Sequence, residues 1–104
     1  MYTYEAKLDR VVDGDTIDLF VDLGFHISHK IRVRLARVDT PPARTEEGKL
    51  ATQYVIDAFD SCLGDCHVVT SKKGRWGRWI GEIYLTNGNL SDLLLENELA
   101  EVLD

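Results

Sequence analysis

Carboxylates and arginines stand at turns and strand ends, where side chains can converge on a ligand. The segment 31–42 reads IRVRLARVDTPP, a strand that carries arginines towards Asp39 and then stops at two prolines. An acidic turn lies upstream at 13–16, and a Gly-rich segment containing Arg78 lies downstream at 74–78. Carboxylate oxygens suit hard cations, and arginine forks match phosphate oxygens. Brought together, these segments would form a metal and phosphate site.

The charge is unevenly distributed along the chain. The formal net charge is −6, which argues against a protein that coats nucleic acid non-specifically. Yet nine of the twelve Lys and Arg residues occupy two short windows: Lys30, Arg32, Arg34, Arg37 and Arg44, then Lys72, Lys73, Arg75 and Arg78. We expect a positive face if the windows meet. Alternatively, each window is a solvated strand edge, and Arg34 simply pairs with Asp15 or Asp39.

Length and composition predict one globular domain over residues 1–104. Hydrophobic residues make up 44% of the 104 residues, which is enough for a core. No apolar run is long enough to span a bilayer, and no signal peptide is visible, so we expect an intracellular (cytoplasmic) protein. Cys62 and Cys66 then read as reduced thiols. With His67 they offer only three ligands for zinc, where a structural site wants four.

Periodicity predicts three strands, a helix, two strands and a second helix. The strands are expected at 2–12, at 16–23, from Ile31 onwards, at 67–70 and at 78–85. A bulge is expected at 37–38 and a tight turn at 87–88. The first helix follows an N-cap at Thr45 and ends near Gly64, and the second begins near Leu90 with Asn89 or Ser91 as cap. The expected core stripe of the first helix is Leu50, Tyr54, Val55, Ala58, Phe59 and Cys62.

This order favours a fold that is mainly β with helices (α+β). Short strands with polar turns, and a helix between the third and fourth strands, suit a closed barrel that has no open sheet edges. The predicted architecture is a five-stranded Greek-key, OB-fold-like barrel with two helices.

Several motifs, taken in order, resemble the staphylococcal (thermo)nuclease family and its SNase domain. They are DGDT at 13–16, RLARVDTP at 34–41, GR at 77–78 and LA at 99–100, so the resemblance spans about residues 11–102. It implies the same five-stranded barrel. It also implies calcium-dependent hydrolysis of phosphodiester bonds in DNA or RNA.

The resemblance also implies roles for single residues. Asp15 and Asp39 match the calcium-binding carboxylates of the family, and Thr40 matches the position that contributes a backbone carbonyl. Arg34 and Arg78 match the two catalytic arginines that hold the scissile phosphate. A cation of this kind would polarise the phosphoryl oxygen, and the arginines would stabilise charge in the transition state.

The chain departs from the family at Pro42. The family has a glutamate after the D-T-P run, assigned to orient or deprotonate the attacking water, and proline can do neither. General-base assistance is typically worth about 10²–10⁴-fold in rate. Glu46 and Glu47 lie several residues further along. A slowed enzyme is therefore expected.

The expected substrate is single-stranded DNA or RNA, bound by a monomer. Lys72, Lys73 and Arg75 would guide the backbone, and Trp76 could stack on unpaired bases. For Trp79, packing in the barrel is favoured over stacking. Two alternatives stay open: a catalytically weak or inactive module that binds nucleic acid or a protein partner, and a structural or regulatory domain without phosphate chemistry.

Overall fold

Three antiparallel strands form the first half of the sheet. The computed structural model describes residues 2–73 and 77–103, without the side chains of Lys72 and Lys73. The strands are β1 (Tyr2–Asp13), β2 (Thr16–Asp22) and β3 (Ser28–Leu35). The predicted alternation on β3 is confirmed, since Val33 and Leu35 are buried and Arg32 is exposed. This register faces the arginines outwards.

The remaining elements close the sheet into a barrel. They are β4 (Val38–Asp39), α1 (Glu46–Asp60), β5 (Asp65–Lys73), β6 (Trp79–Leu85), β7 (Gly88–Asn89), α2 (Leu90–Glu96) and β8 (Glu101–Val102). The sheet order is β3-β2-β1-β5-β6-β7, and β6 also pairs in parallel with β3. The closed five-stranded barrel with two helices confirms the predicted fold class. A separate two-stranded ladder joins β4 to β8.

The helix α1 lies against the barrel with a small-residue face at its start. Thr45 is the N-cap, as predicted, and its side chain accepts a hydrogen bond from the Gly48 N–H at 3.0 Å. The predicted core position of Leu50 is wrong, because that side chain is 64% exposed and Ala51 is buried instead. Further along, Val55, Ala58 and Phe59 are buried as expected, whereas Tyr54 and Cys62 are only partly buried.

Other local predictions changed at the strand ends. A turn at 36–37 replaces the predicted bulge, and Arg37 adopts a left-handed conformation with φ 72°. The strand predicted at 67–70 is longer and extends to Lys73, because β5 pairs with both β1 and β6. Asn89 is the N-cap of α2, and Leu90, Ser91 and Leu94 form its buried face. In the described part of the chain, neither helix is long and apolar enough to cross a bilayer.

Gly48 connects α1 to the segment before it, and its replacement tests that contact. A Cβ at Gly48 would overlap the Pro42 carbonyl. We expect Gly48→Ala to lower the free energy of unfolding by about 1–3 kcal/mol, because the clash outweighs the roughly 1 kcal/mol gain in helix propensity. Urea denaturation measures this, with Lys49→Ala as the control in the same turn. A stabilised Gly48→Ala protein would contradict the close approach.

Candidate functional site

The acidic turn between β1 and β2 holds one carboxylate in a fixed position. Asp15 is only 7% exposed. Its Oδ1 accepts from the Thr16 hydroxyl at 3.1 Å, and its Oδ2 accepts from the Thr40 N–H at 3.0 Å. Its backbone carbonyl accepts from the Leu35 N–H at 2.8 Å. Asp15 therefore links the acidic turn to the segment that contains the second carboxylate.

Gly14 permits this close packing because it has no side chain. An added Cβ would lie 2.9 Å from Thr40 Oγ1 and 3.0 Å from Ala51 Cβ. The helix α1 thus supports the turn through Ala51, which explains why Ala51 and not Leu50 faces inwards. The Oγ1 atom of Thr40 is buried and has no hydrogen-bond partner among the described residues.

Arg34 lies at the centre of the site. Its Nη1 donates to the backbone carbonyls of Leu35 and Val38, both at 2.7 Å. Its Nη2 lies 3.4 Å from Asp15 Oδ2 and 3.1 Å from Asp39 Oδ1. One guanidinium nitrogen therefore bridges both predicted metal carboxylates. The other stabilises the turn between β3 and β4. The structure thus shows the pairing of Arg34 with Asp15 and Asp39 that the sequence left as an alternative.

A third carboxylate accompanies these two. Partial burial, and then repulsion from Asp15, raise the pKa of Asp13 above its ordinary value. Asp13 stands in the same DGDT turn as Asp15, so its proximity could have been predicted from the motif. With Asp13, Asp15 and Asp39 ionised, the acids outnumber the single guanidinium of Arg34.

This donor set suits a hard cation. Carboxylate oxygens from Asp15 and Asp39, with the Thr40 carbonyl, are the ligand type that calcium prefers. In residues 2–73 and 77–103, no three His, Cys, Asp or Glu side chains cluster closely enough to form a metal cage alone. The residues therefore fit an open site, where water and substrate oxygens complete the coordination.

Of the other predicted site residues, the structure describes Arg78 and the backbones of Lys72 and Lys73. Arg78 is partly buried and directly precedes β6, where Ile80 pairs with Arg34 of β3. This register places Arg78 roughly 7 Å along the strand direction from the Arg34 level. The backbone of Lys72 pairs with Ile80 on the other side of β6. Arg75 and Trp76 lie outside the described residues, as do the side chains of Lys72 and Lys73.

Two arginines expected to supply positive charge are instead paired with acids. Arg32 donates to both oxygens of the buried Asp18 at 2.8 and 3.1 Å. Arg37 donates to Glu82 at 2.7 Å and to Asp92 at 3.0 Å, and these hydrogen bonds raise its pKa. Among Arg32, Arg34 and Arg37, Arg34 is therefore the one whose carboxylate partners also belong to the candidate metal site.

Sequence reasoning also missed an acid opposite Asp39. The short β4–β8 ladder pairs Asp39 with Glu101, two residues far apart along the chain. Like charges directly opposite each other repel. No local motif signals this contact, because it depends on where the chain returns after α2.

The two cysteines lie just after α1 and on β5. Both cysteines are free. Burial raises the pKa of the Cys66 thiol to about 12, so it is neutral at physiological pH. The Cys62 thiol contacts the Asp65 carbonyl at 3.2 Å.

Similar proteins agree with a nuclease-like domain. The chain is 32% identical over 81 residues to the micrococcal nuclease of Shigella flexneri, covering 78% of this chain and 42% of that protein. It is 35% identical over 82 residues to protein ParB of Escherichia coli, covering 77% and 41% respectively. The chain thus spans about two fifths of the length of these curated relatives. No family model matches it.

The Asp18–Arg32 pair gives an acid-dependent stability prediction. Hydrogen bonding from Arg32 is the main cause that lowers the pKa of Asp18, so the stabilisation is present above the unfolded pKa. It is lost as pH falls through the lower, folded pKa, in a range beginning near pH 4. We expect Asp18→Asn to cost roughly 1.5–3 kcal/mol at neutral pH and to flatten the decline in stability on acidification.

Urea unfolding between pH 6 and pH 2.5 measures this effect. Asp22→Asn, on the exposed end of the same strand, is the control. Parallel pH profiles for wild type and Asp18→Asn would contradict the assigned pairing.

Proposed function

We propose that this chain is a member of the staphylococcal nuclease family and a calcium-dependent hydrolase of phosphodiester bonds in DNA or RNA. The observation that carries the proposal is the convergence of the Asp15 and Asp39 carboxylates on one guanidinium nitrogen of Arg34, within 3.4 Å. Similarity to a protein named as a micrococcal nuclease supports the same class of reaction.

In this proposal, calcium would be held by Asp15, Asp39 and the Thr40 carbonyl. When bound, calcium would supply Lewis-acid polarisation of a phosphoryl oxygen. The chain's own contribution is positional, since Asp15 is fixed by hydrogen bonds from Thr16 and Thr40. A positioned carboxylate loses little conformational entropy when it takes up a ligand.

Arg34 and Arg78 are the proposed phosphate ligands. Arg34 already carries its guanidinium at the two carboxylates, in a side chain that is only 16% exposed. Partial burial strengthens an arginine–phosphate hydrogen bond relative to one in bulk water. Arg78 would bind from the start of β6, and its charge would stabilise the phosphorane-like transition state or the departing oxygen.

The proposed substrate is single-stranded nucleic acid, and the domain acts as a monomer. Lys72, Lys73, Arg75 and Trp76 are proposed to contact it beyond the scissile phosphate, along the segment leading into β6. Aromatic and basic side chains in sequence suit a strand whose bases are unpaired.

A catalytically weak module that binds nucleic acid or a protein partner is the second candidate. Pro42 favours it, because no side chain at that position can take a proton. In this case the arginines would hold a phosphate without cleaving it.

Cleavage assays separate the two candidates. We expect wild type to cleave denatured DNA or RNA in calcium and not in chelator. Asp15→Asn and Arg34→Ala should each lower the rate roughly 10²–10³-fold, because the first removes a charged calcium ligand and the second removes a cation that stabilises the transition state. Arg34→Lys, which keeps the charge but loses the fork, guards against a folding defect in Arg34→Ala.

Lys30→Ala is the matched control, since Lys30 pairs with Asp9 on the exposed surface. Its rate should match wild type. Intact substrate at high wild-type concentration would exclude the enzyme, and a gel shift without cleavage would favour the binding module.

A further inference from the structure

A cavity of about 440 Å³ opens beside Asp39 and Thr40, two of the three proposed metal ligands. Its walls come from the segment 39–42, from the first turn of α1 and from the segment 98–101. Asp39 and Thr40 line it together with Glu47. A carboxylate from α1 therefore borders the same space as the groups proposed to hold calcium. The inference drawn from this cavity rests on the proposed nuclease function.

The position of Glu47 is set by contacts between α1 and Pro42. The Pro42 carbonyl accepts from the Thr45 N–H at 2.9 Å and from the Thr45 hydroxyl at 2.7 Å. Gly48 packs directly on the same carbonyl, with no room for a side chain. Since consecutive Cα atoms are about 3.8 Å apart, Glu47 is held close to residue 42. The fold thus holds the backbone of an acidic residue near the position where the motif lacks one.

The two glutamates of this helical turn are not equivalent. The Glu46 side chain is 91% exposed and lies 4.0 Å from the Lys49 ammonium. Glu46 is not among the residues that line the cavity, whereas Glu47 is. Both contribute the same charge to the start of α1. Glu46 is therefore a matched control for Glu47.

Two further acids border the cavity but are less suited to proton transfer. Glu98 and Glu101 lie around β8, which has two residues, whereas Glu47 stands on a helix of 15 residues. Proton transfer needs a group held in a defined position, and a long helix fixes the backbone of such a group better than a segment around a two-residue strand does.

We propose that Glu47 is the general base of this domain. Its carboxylate accepts a proton from a water molecule as the water oxygen forms a bond to phosphorus. The bond from phosphorus to the leaving oxygen breaks with its electron pair, and that oxygen takes a proton from solvent. One water is consumed, and the products are a phosphomonoester and a hydroxyl. The carboxylate then returns its proton to solvent.

Single-turnover cleavage of a denatured DNA oligonucleotide in saturating calcium tests this role in the full chain. Glu47→Gln should lower the rate roughly 10²-fold or more, whereas Glu46→Gln should retain the wild-type rate. Calorimetric calcium titration should give the same affinity for Glu47→Gln as for wild type.

Pro42→Glu provides a rescue experiment. It should restore most of the rate lost in Glu47→Gln, and should add little to wild type, because a base already serves there. Failure to raise the rate of Glu47→Gln would overturn the assignment, and so would weakened calcium binding by that variant, which would make Glu47 a metal ligand. An active wild type unaffected by Glu47→Gln overturns this inference alone. A wild type that never cleaves overturns it together with the proposed function.

Discussion

The bridge that Arg34 makes between Asp15 and Asp39 is the interaction on which the site depends. Two carboxylates held near each other repel, and a delocalised guanidinium placed between them offsets that repulsion. Nη2 lies within 3.4 Å of both acids, while Nη1 donates to the Leu35 and Val38 carbonyls. The same side chain therefore shapes the turn after β3 and gathers the charged groups. Loss of Arg34 would affect geometry and charge together.

The surrounding elements make this arrangement rigid. Closure of the barrel by the β3–β6 pair brings the chain after the Gly-rich segment back to Arg34. Ala51 of α1 packs against Gly14, and Thr45 at the start of α1 donates a hydrogen bond to the Pro42 carbonyl. Arg32 on β3 and Arg37 in the turn after it form ion pairs with Asp18 and Glu82, away from the site. Arg34 is the arginine between them that pairs with Asp15 and Asp39. A site with this support needs little reorganisation when a ligand arrives.

The contacts of Pro42 connect the strand end to the turn of α1 that carries Glu47. Proline supplies no carboxylate, yet its carbonyl accepts two hydrogen bonds from Thr45 and receives the close approach of Gly48. These contacts place Glu47 on the wall of the cavity beside Asp39. The backbone of the proline that interrupts the family motif thus positions the turn of α1 that carries Glu47, the residue proposed to act as the base.

The sequence by itself predicted the first three strands, the cap at Thr45 and the barrel class, and it singled out Asp15, Arg34 and Asp39, which the structure brings together. These follow from alternation, hydrogen-bonding chemistry and motif order, which are local properties. Only tertiary structure decided that Leu50 is exposed, that Arg32 and Arg37 are paired, and that Glu101 faces Asp39. Those outcomes depend on contacts between residues distant in the chain, where packing and register, not local preference, set which groups meet.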